Sequence, residues 1–200
     1  MRIFVGIDID EQIRQRIYEF GQQMRELAPD ARWVKPETFH VTLKFLGEAT
    51  PEMAERVKQA LAEVRGSPVN IRFEGAGFFP NARSPRVFWV GVNADDALPQ
   101  LARQADEATA RLGFSREENA YKPHLTLARA GKAASGNPHQ QASSRAGSRF
   151  AALAKKLEAI PQPSFGTITA QEFFLYESKL SPAGARYTKI ARFGLEAPNC

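Results

Sequence analysis

The spacing of apolar residues predicts alternating strands and helices through most of the chain. The β-rich run at residues 3–7 is typical of a buried strand. Apolar residues then recur three and four positions apart over residues 11–27, which predicts an amphipathic helix. Residues 51–64 and 98–112 also have the pattern of helices. We therefore expect a protein of the α+β class.

Two further segments alternate apolar and polar residues, as half-buried strands do. In the first segment Thr42 follows His40 by two positions, and in the second Thr126 follows His124 by two positions. Residues i and i+2 of a strand share one face, so each segment presents an imidazole and a hydroxyl to the same surface.

The order strand, helix, histidine strand occurs twice along the chain. The interval from the strand glycine to the histidine is 34 residues for Gly6 and His40, and 33 residues for Gly91 and His124. This repeat predicts one domain over residues 1–200, built from two pseudo-symmetric α/β half-units of approximately residues 1–85 and 86–200. We expect the two histidine strands to face each other across a cleft.

The segment after the second histidine strand has a different composition. Residues 131–148 are small and polar without apolar periodicity, which predicts a flexible surface loop, and a short helix is expected at 150–157. The stretch 131–156 is basic, so it is either a contact for an RNA backbone or, as we favour, a solvated loop. Residues 168–176 and 187–195 are predicted as closing strands.

Charge and cysteine content narrow the class of protein. Lysine and arginine (27) exceed aspartate and glutamate (22), a net charge of +5 that suits a polyanionic partner without proving one. The single cysteine, Cys200, allows no intrachain disulfide and no cysteine-based metal site. No long apolar stretch and no signal-like start are present. We expect a cytoplasmic protein without a membrane segment.

The paired histidines are the best candidates for chemistry. One neutral and one protonated imidazole can serve as base and acid near neutral pH. One histidine on a strand more often makes an ordinary hydrogen bond than it takes part in catalysis. Here, however, the histidine occurs twice with a threonine two positions later, and this repetition favours a catalytic role. His139 has no such partner and is interpreted as a solvated loop residue. A metal site is poorly supported because no ligand spacing accompanies either histidine strand.

The surrounding residues resemble a known family. Residues 33–48 (WVKPETFHVTLKFLGE) and 122–129 (KPHLTLAR), together with residues 1–5 and 178–187, are similar to the two-histidine (2H) phosphoesterase superfamily. The most similar branch is the LigT-like RNA 2′,3′-cyclic phosphodiesterases of bacteria and archaea, also described as 2′-5′ RNA ligases. The resemblance covers nearly the whole chain.

The resemblance implies a bilobal fold with antiparallel sheets around a central cleft. It also implies hydrolysis of an RNA 2′,3′-cyclic phosphate to a 2′-phosphate end, with His40 as the proton donor and His124 as the proton acceptor. Thr42, Thr126 and Arg129 are candidate phosphate-binding residues, although a surface ion pair explains Arg129 equally well. We expect no metal and no cofactor.

Several alternatives remain open from the sequence. The same chemistry with a ribose hydroxyl in place of water would make the protein a 2′-5′ RNA ligase, and a non-catalytic nucleotide or RNA binder would need the same phosphate-holding groups. Phe45, Phe79 and Tyr121 are candidates for stacking on a base, although most aromatic residues must belong to the core. We expect a monomer whose partners are RNA or nucleotides with 2′,3′-cyclic phosphate ends.

Overall fold

The computed structural model describes residues 1–130, 142–182 and 184–196. Within these ranges the strands are β1 Arg2–Asp8, β2 Arg32–Trp33, β3 His40–Glu48, β4 Val69–Phe79, β5 Val87–Ala94, β6 His124–Arg129, β7 Ser164–Ala170, β8 Glu172–Ser181 and β9 Gly184–Gly194. The helices are α1 Glu11–Arg25, α2 Pro51–Leu61, α3 Ala97–Ala110 and α4 Ala142–Glu158.

Local sequence signals fix the starts of the first two helices. Asp10 accepts a hydrogen bond from the backbone N–H of Ile13 (2.7 Å) at the start of α1. Thr50 accepts one from Met53 (3.1 Å) at the start of α2, where Pro51 occupies the first turn. Such caps satisfy backbone donors that have no partner within the helix.

The chain forms two sheets that are antiparallel throughout. The first sheet has the strand order β3-β1-β8-β9, and the second has the order β2-β6-β5-β4-β7. Each histidine strand therefore lies in a different sheet, β3 in the first and β6 in the second. The expected α+β fold with antiparallel sheets is confirmed.

The two halves exchange strands. In the first sheet β1 lies between β3 and β8, and β8 comes from the second half of the chain. In the second sheet β5 lies between β6 and β4, and β4 comes from the first half. The sheets are thus not built from residues 1–85 and 86–200 separately, because each half supplies two strands to the sheet of the other: β2 and β4 from the first half, and β8 and β9 from the second.

The register of the strands corrects the alignment of the repeat. His40 pairs with Asp8 in the first sheet, and His124 pairs with Gly91 in the second. Gly91 therefore corresponds to Asp8 and not to Gly6, a slip of two positions. A two-residue slip preserves the alternation of faces, so the pattern of apolar residues cannot reveal it.

Two predictions for the second half are wrong in part. Residues 142–148 are helical and not a loop, since α4 begins at Ala142; alanine favours helix even where no apolar stripe marks it. The rest of the predicted loop, 131–141, includes His139 and lies outside the described residues. The predicted strand 168–176 is two strands, because the chain passes from the second sheet to the first at Gln171.

Both sheets and all four helices contribute to one hydrophobic core. Its largest fully buried side chains are Phe73, Phe88, Phe150, Phe173, Ile3, Ile7, Ile17, Leu61, Ile71, Leu98, Leu101 and Leu125. In the described part of the chain, none of the helices has the length and apolar character needed to cross a membrane.

A buried ion pair joins the first histidine strand to α3. The Lys44 side chain is 4% exposed, and its Nζ lies 2.5 Å from Asp106 Oδ1 and 2.6 Å from the carbonyl oxygen of Ser115. Asp106 also accepts a hydrogen bond from the backbone N–H of Glu117 (3.0 Å). Because both charges are largely removed from water, each depends on the other for compensation.

Replacing Lys44 by methionine should lower the free energy of unfolding by about 3 kcal/mol, because the Asp106 carboxylate is left without its cation. Urea unfolding measures this change. As a matched control, Lys58→Met breaks the more exposed pair with Glu55 and should cost less than about 1 kcal/mol. The double variant Lys44→Met/Asp106→Asn should recover part of the loss. Equal stabilities of Lys44→Met and Lys58→Met would contradict this account.

Candidate active site

The two histidine strands meet at a small cavity. Cα atoms of β3 and β6 approach within 8 Å, although the strands belong to different sheets. A cavity of about 80 Å³ is lined from both strands. All the site residues predicted from the sequence line it, namely His40, Thr42, His124, Thr126 and Arg129. The other lining residues are Val34, Thr38, Phe45 and Tyr187.

Both imidazoles have the same local hydrogen bond. His40 Nδ1 lies 2.7 Å from the carbonyl oxygen of Thr38, and His124 Nδ1 lies 2.8 Å from that of Lys122. A carbonyl oxygen can only accept, so Nδ1 carries the hydrogen in each ring. The other nitrogen, Nε2, is therefore the atom that can take or give a proton in both histidines.

Aromatic rings hold the two imidazoles in place. The His40 ring lies 4.7 Å from the Phe4 ring and 5.2 Å, edge-on, from the Tyr187 ring. Phe79 packs edge-on against His124 with the ring centres 4.9 Å apart. These contacts restrict the orientation of each imidazole and shield it from water.

This shielding changes the proton affinity of both histidines. Burial lowers the pKa of His40 to about 4, although the Thr38 carbonyl and the Asp8 charge raise it. Burial also lowers the pKa of His124, and the charge of Arg129 lowers it further. Both imidazoles are therefore mostly neutral near pH 7 when no anion is bound. A bound phosphate would add a negative charge and favour protonation.

The hydroxyl of Thr42 contacts the reactive nitrogen of His40. Thr42 Oγ1 lies 3.0 Å from His40 Nε2, so the hydroxyl donates to the neutral imidazole. The backbone of Thr42 is fixed separately, because the Tyr121 hydroxyl donates to its carbonyl oxygen (2.9 Å). Tyr121, which the sequence offered as a base-stacking residue, thus has a structural bond, and burial raises its pKa.

A β-bulge in each histidine strand places one more residue at the cavity. In β3 the pairing partners jump from Thr42 to Lys44, and in β6 they jump from Thr126 to Ala128. The extra residue reverses the alternation of faces. Phe45 and Arg129, each five positions after its histidine, therefore line the cavity on the same side as the histidines. Simple alternation would place both on the opposite face.

The exposure of these two side chains suits contact with a ligand. Phe45 is 61% exposed, whereas most aromatic residues of the chain are buried. Arg129 is exposed and forms no ion pair with any residue that the structure describes, which removes the surface ion pair considered for it. The pseudo-symmetric positions thus carry a cation on one strand and an aromatic ring on the other.

Asp8 makes the surroundings of the two histidines unequal. It pairs with His40 across the strand ladder, whereas Gly91 occupies the corresponding position beside His124. Gly91 cannot be exchanged for aspartate, because a Cβ there would collide with the backbone carbonyl oxygen of Glu74. A carboxylate at this ladder position is therefore possible only beside His40.

Two cations hold the Asp8 carboxylate in its ionised form. Asp8 binds Arg14 through Oδ1 (2.7 Å) and Lys189 through Oδ2 (2.5 Å). Burial raises the pKa of Asp8, but Lys189, the Ile9 N–H and Arg14 together lower it below its ordinary value.

Sequence reasoning did not single out Tyr187 and Thr38 as site residues. Tyr187 comes from β9, far from both histidines in the chain, and only the family resemblance of residues 178–187 includes it. Burial raises the pKa of Tyr187, so its hydroxyl stays protonated as a potential donor. Thr38 precedes the strand by two positions and contributes through its backbone carbonyl, a role that side-chain patterns do not encode.

No cluster of three or more potential metal ligands occurs among the described residues.

Comparison with known proteins identifies the family. The sequence model of the LigT like Phosphoesterase family matches the chain twice, over residues 7–89 and 90–187. The chain belongs to this family. The double match agrees with the internal repeat, and the family expected from the resemblance of the two histidine motifs is confirmed.

Related proteins match over almost their whole length. A protein of Archaeoglobus fulgidus named RNA 2′,3′-cyclic phosphodiesterase is 34% identical over 193 residues, which cover 96% of this chain and 99% of that protein. A protein of the same name from Methanothermobacter thermautotrophicus is 31% identical and covers 98% of this chain and 99% of its own length.

Solved structures of LigT-like proteins have the same fold. E. coli LigT complexed with 3′-AMP is 27% identical and superimposes with a TM-score of 0.75 over 97% of each chain. TT0787 of Thermus thermophilus is 26% identical, with a TM-score of 0.74 over 100% of each chain. Kluyveromyces marxianus Usb1, at 12% identity and a TM-score of 0.53, covers 94% of this chain and 97% of its own and shares the fold alone.

Proposed function

We propose that this protein is an RNA 2′,3′-cyclic phosphodiesterase that opens the cyclic phosphate to a 2′-phosphate end. The observation that carries this proposal is the convergence of two imidazoles with the same Nδ1–H tautomer on one cavity, each with Nε2 available for proton transfer. The names of the relatives from A. fulgidus and M. thermautotrophicus support the substrate class.

In the proposed reaction the histidines transfer protons in opposite directions. His124 Nε2 removes a proton from water as the water oxygen forms a bond with phosphorus. The bond from phosphorus to O3′ breaks, and protonated His40 Nε2 gives its proton to the departing O3′. The phosphate remains on O2′, and the two imidazoles have exchanged protonation states, which solvent resets.

The donors around the cavity can stabilise the charge on phosphorus. We assign Thr42 and Thr126 to the non-bridging oxygens, because their hydroxyls share the cavity with the histidines. Protonated His40 no longer accepts the hydrogen bond from Thr42, so that hydroxyl can donate to phosphate. Arg129 supplies a positive charge there and forms charge-assisted hydrogen bonds with phosphate. These donors meet the developing negative charge directly, so the proposed reaction needs no metal ion or other cofactor.

The unequal surroundings of the histidines support the assignment of their roles. A bound cyclic phosphate raises the proton affinity of both imidazoles, and the Asp8 carboxylate raises that of His40 in addition. Arg129 lowers the pKa of both imidazoles, and burial lowers that of His40 to about 4, so the assignment rests on the Asp8 carboxylate, which has no counterpart at Gly91 beside His124. His40 is therefore the proposed acid, and His124 is the proposed base.

Two alternatives use the same groups. A 2′-5′ RNA ligase would replace water by a ribose hydroxyl, and its product would be longer than its substrates. A non-catalytic binder would hold the cyclic phosphate without turning it over, but it would not need two histidines with available Nε2 atoms. Hydrolysis is the proposal that the site geometry and the relatives' names support together.

The remaining expectations concern the state of the protein in the cell. We propose a monomer, since one chain supplies every residue of the cavity. A mass of 22.2 kDa by light scattering would support this state. We also propose a cytoplasmic location, which the single cysteine of the sequence favours.

Replacing either histidine should abolish most of the activity. His40→Ala and His124→Ala should each lower kcat on a nucleoside 2′,3′-cyclic phosphate at least about 10²-fold, the usual effect of losing a general acid or base. The assay is run in chelator, where the wild type should remain active. His139→Ala serves as a matched control and should retain wild-type kcat. Near-wild-type turnover by either active-site variant would overturn the proposal.

The pH dependence of catalysis should reflect the lowered pKa values. Since kcat/KM reports the free enzyme, its optimum should lie below pH 6.5, the ordinary pKa of histidine. The optimum of kcat should lie at higher pH, because bound phosphate raises both values. Asp8→Asn removes a charge that raises the pKa of His40. If His40 is the acid, the alkaline limb of kcat should move to lower pH.

The same experiment separates the two role assignments. If His40 were instead the base, Asp8→Asn would shift the acidic limb of the profile. Glu11→Gln is the matched control, because Glu11 also pairs with Arg14 (3.3 Å) but does not influence His40. Neither limb should move in this control.

A further inference from the structure

A second cavity adjoins the reactive one. It has a volume of about 260 Å³ and lies between α1 and the segment that leads into β3. Val34 lines both cavities, so the two cavities are neighbours. The polar and aromatic residues of the second cavity are Tyr18, Gln22, Arg25, Trp33, Lys35 and Phe39, of which Phe39 is buried.

The side chains of this cavity are suited to a nucleotide. Trp33 and Tyr18 offer aromatic surface, and the Trp33 ring is fixed because its Nε1–H donates to the carbonyl oxygen of Ala28 (2.9 Å). Bases stack on such rings without sequence preference. Arg25 and Lys35 are exposed, no acidic residue lines the cavity, and neither cation forms an ion pair within the described ranges of the chain.

A third cavity, which His40 also lines, is less suited to a phosphate. Its cations Arg14 and Lys189 are already bound to Asp8, at 2.7 and 2.5 Å. Glu37 adds another negative charge to its lining. Only Arg186 remains there without an ion pair among the residues that the structure describes. The balance of charge therefore favours the cavity of Arg25 and Lys35.

We propose that the cavity lined by Tyr18, Trp33, Arg25 and Lys35 binds the nucleotide on the 5′ side of the terminal cyclic phosphate of an RNA substrate. Arg25 and Lys35 contact the phosphate that joins this nucleotide to the last one, and its base lies against Tyr18 and Trp33. This inference rests on the proposed function, since it extends the substrate away from the histidines. Binding of this nucleotide makes RNA ends better substrates than mononucleotides.

The test compares two substrates with the same reactive group. One is a mononucleoside 2′,3′-cyclic phosphate, and the other is a tetranucleotide RNA ending in the same cyclic phosphate. The variant Arg25→Gln/Lys35→Gln should lower kcat/KM about tenfold on the tetranucleotide and leave it unchanged on the mononucleotide. The slope of log kcat/KM against log salt on the tetranucleotide should become shallower by about 0.7 for each phosphate that the variant no longer neutralises.

A matched control removes the same charge elsewhere. Arg56→Gln/Arg103→Gln lies on exposed positions of α2 and α3 that line none of the three cavities, and neither substrate should respond to it. Equal losses of the Arg25/Lys35 variant on both substrates, or no loss on either, would overturn the subsite. If the wild type turned over neither substrate, the proposed function would be overturned, and the subsite with it.

Discussion

The site depends on one short hydrogen bond made twice, from the Nδ1–H of each histidine to the carbonyl oxygen two residues earlier. This bond fixes the tautomer, and it leaves Nε2 as the reactive atom of both rings. Because donor and acceptor belong to the same short segment, each motif sets the tautomer of its histidine without help from the other half. Duplication of such a segment therefore produces two equivalent proton carriers that need only be brought face to face.

Strand exchange brings the two segments together. β8 completes the first sheet and β4 completes the second, so neither half of the chain has its own complete sheet. The buried pair of Lys44 and Asp106 adds a polar connection from the first histidine strand to α3. The two motifs have different neighbours, since Asp8 stands beside His40 where the other half has Gly91. The proposed division of roles between the histidines rests on this departure from symmetry.

The sequence predicted the parts of the site that obey simple periodicity. Alternation on a strand was enough to place Thr42 with His40 and Thr126 with His124. It could not explain why Arg129 shares their face, because that position depends on a bulge, and bulges depend on the pairing between strands. The contact of Tyr187 with His40 and the exchange of β4 and β8 are long-range features that no local pattern predicts. The two-residue slip of the repeat was invisible because strand periodicity is two.

The central claim is that two histidines direct water onto a cyclic phosphate so that O3′ departs. Its most direct test is turnover of an RNA 2′,3′-cyclic phosphate in ¹⁸O-labelled water with chelator present, followed by ³¹P NMR and mass spectrometry of the product. The account predicts a single 2′-phosphate end carrying one ¹⁸O atom. A 3′-phosphate, a product longer than the substrate, or tight binding without turnover would contradict it.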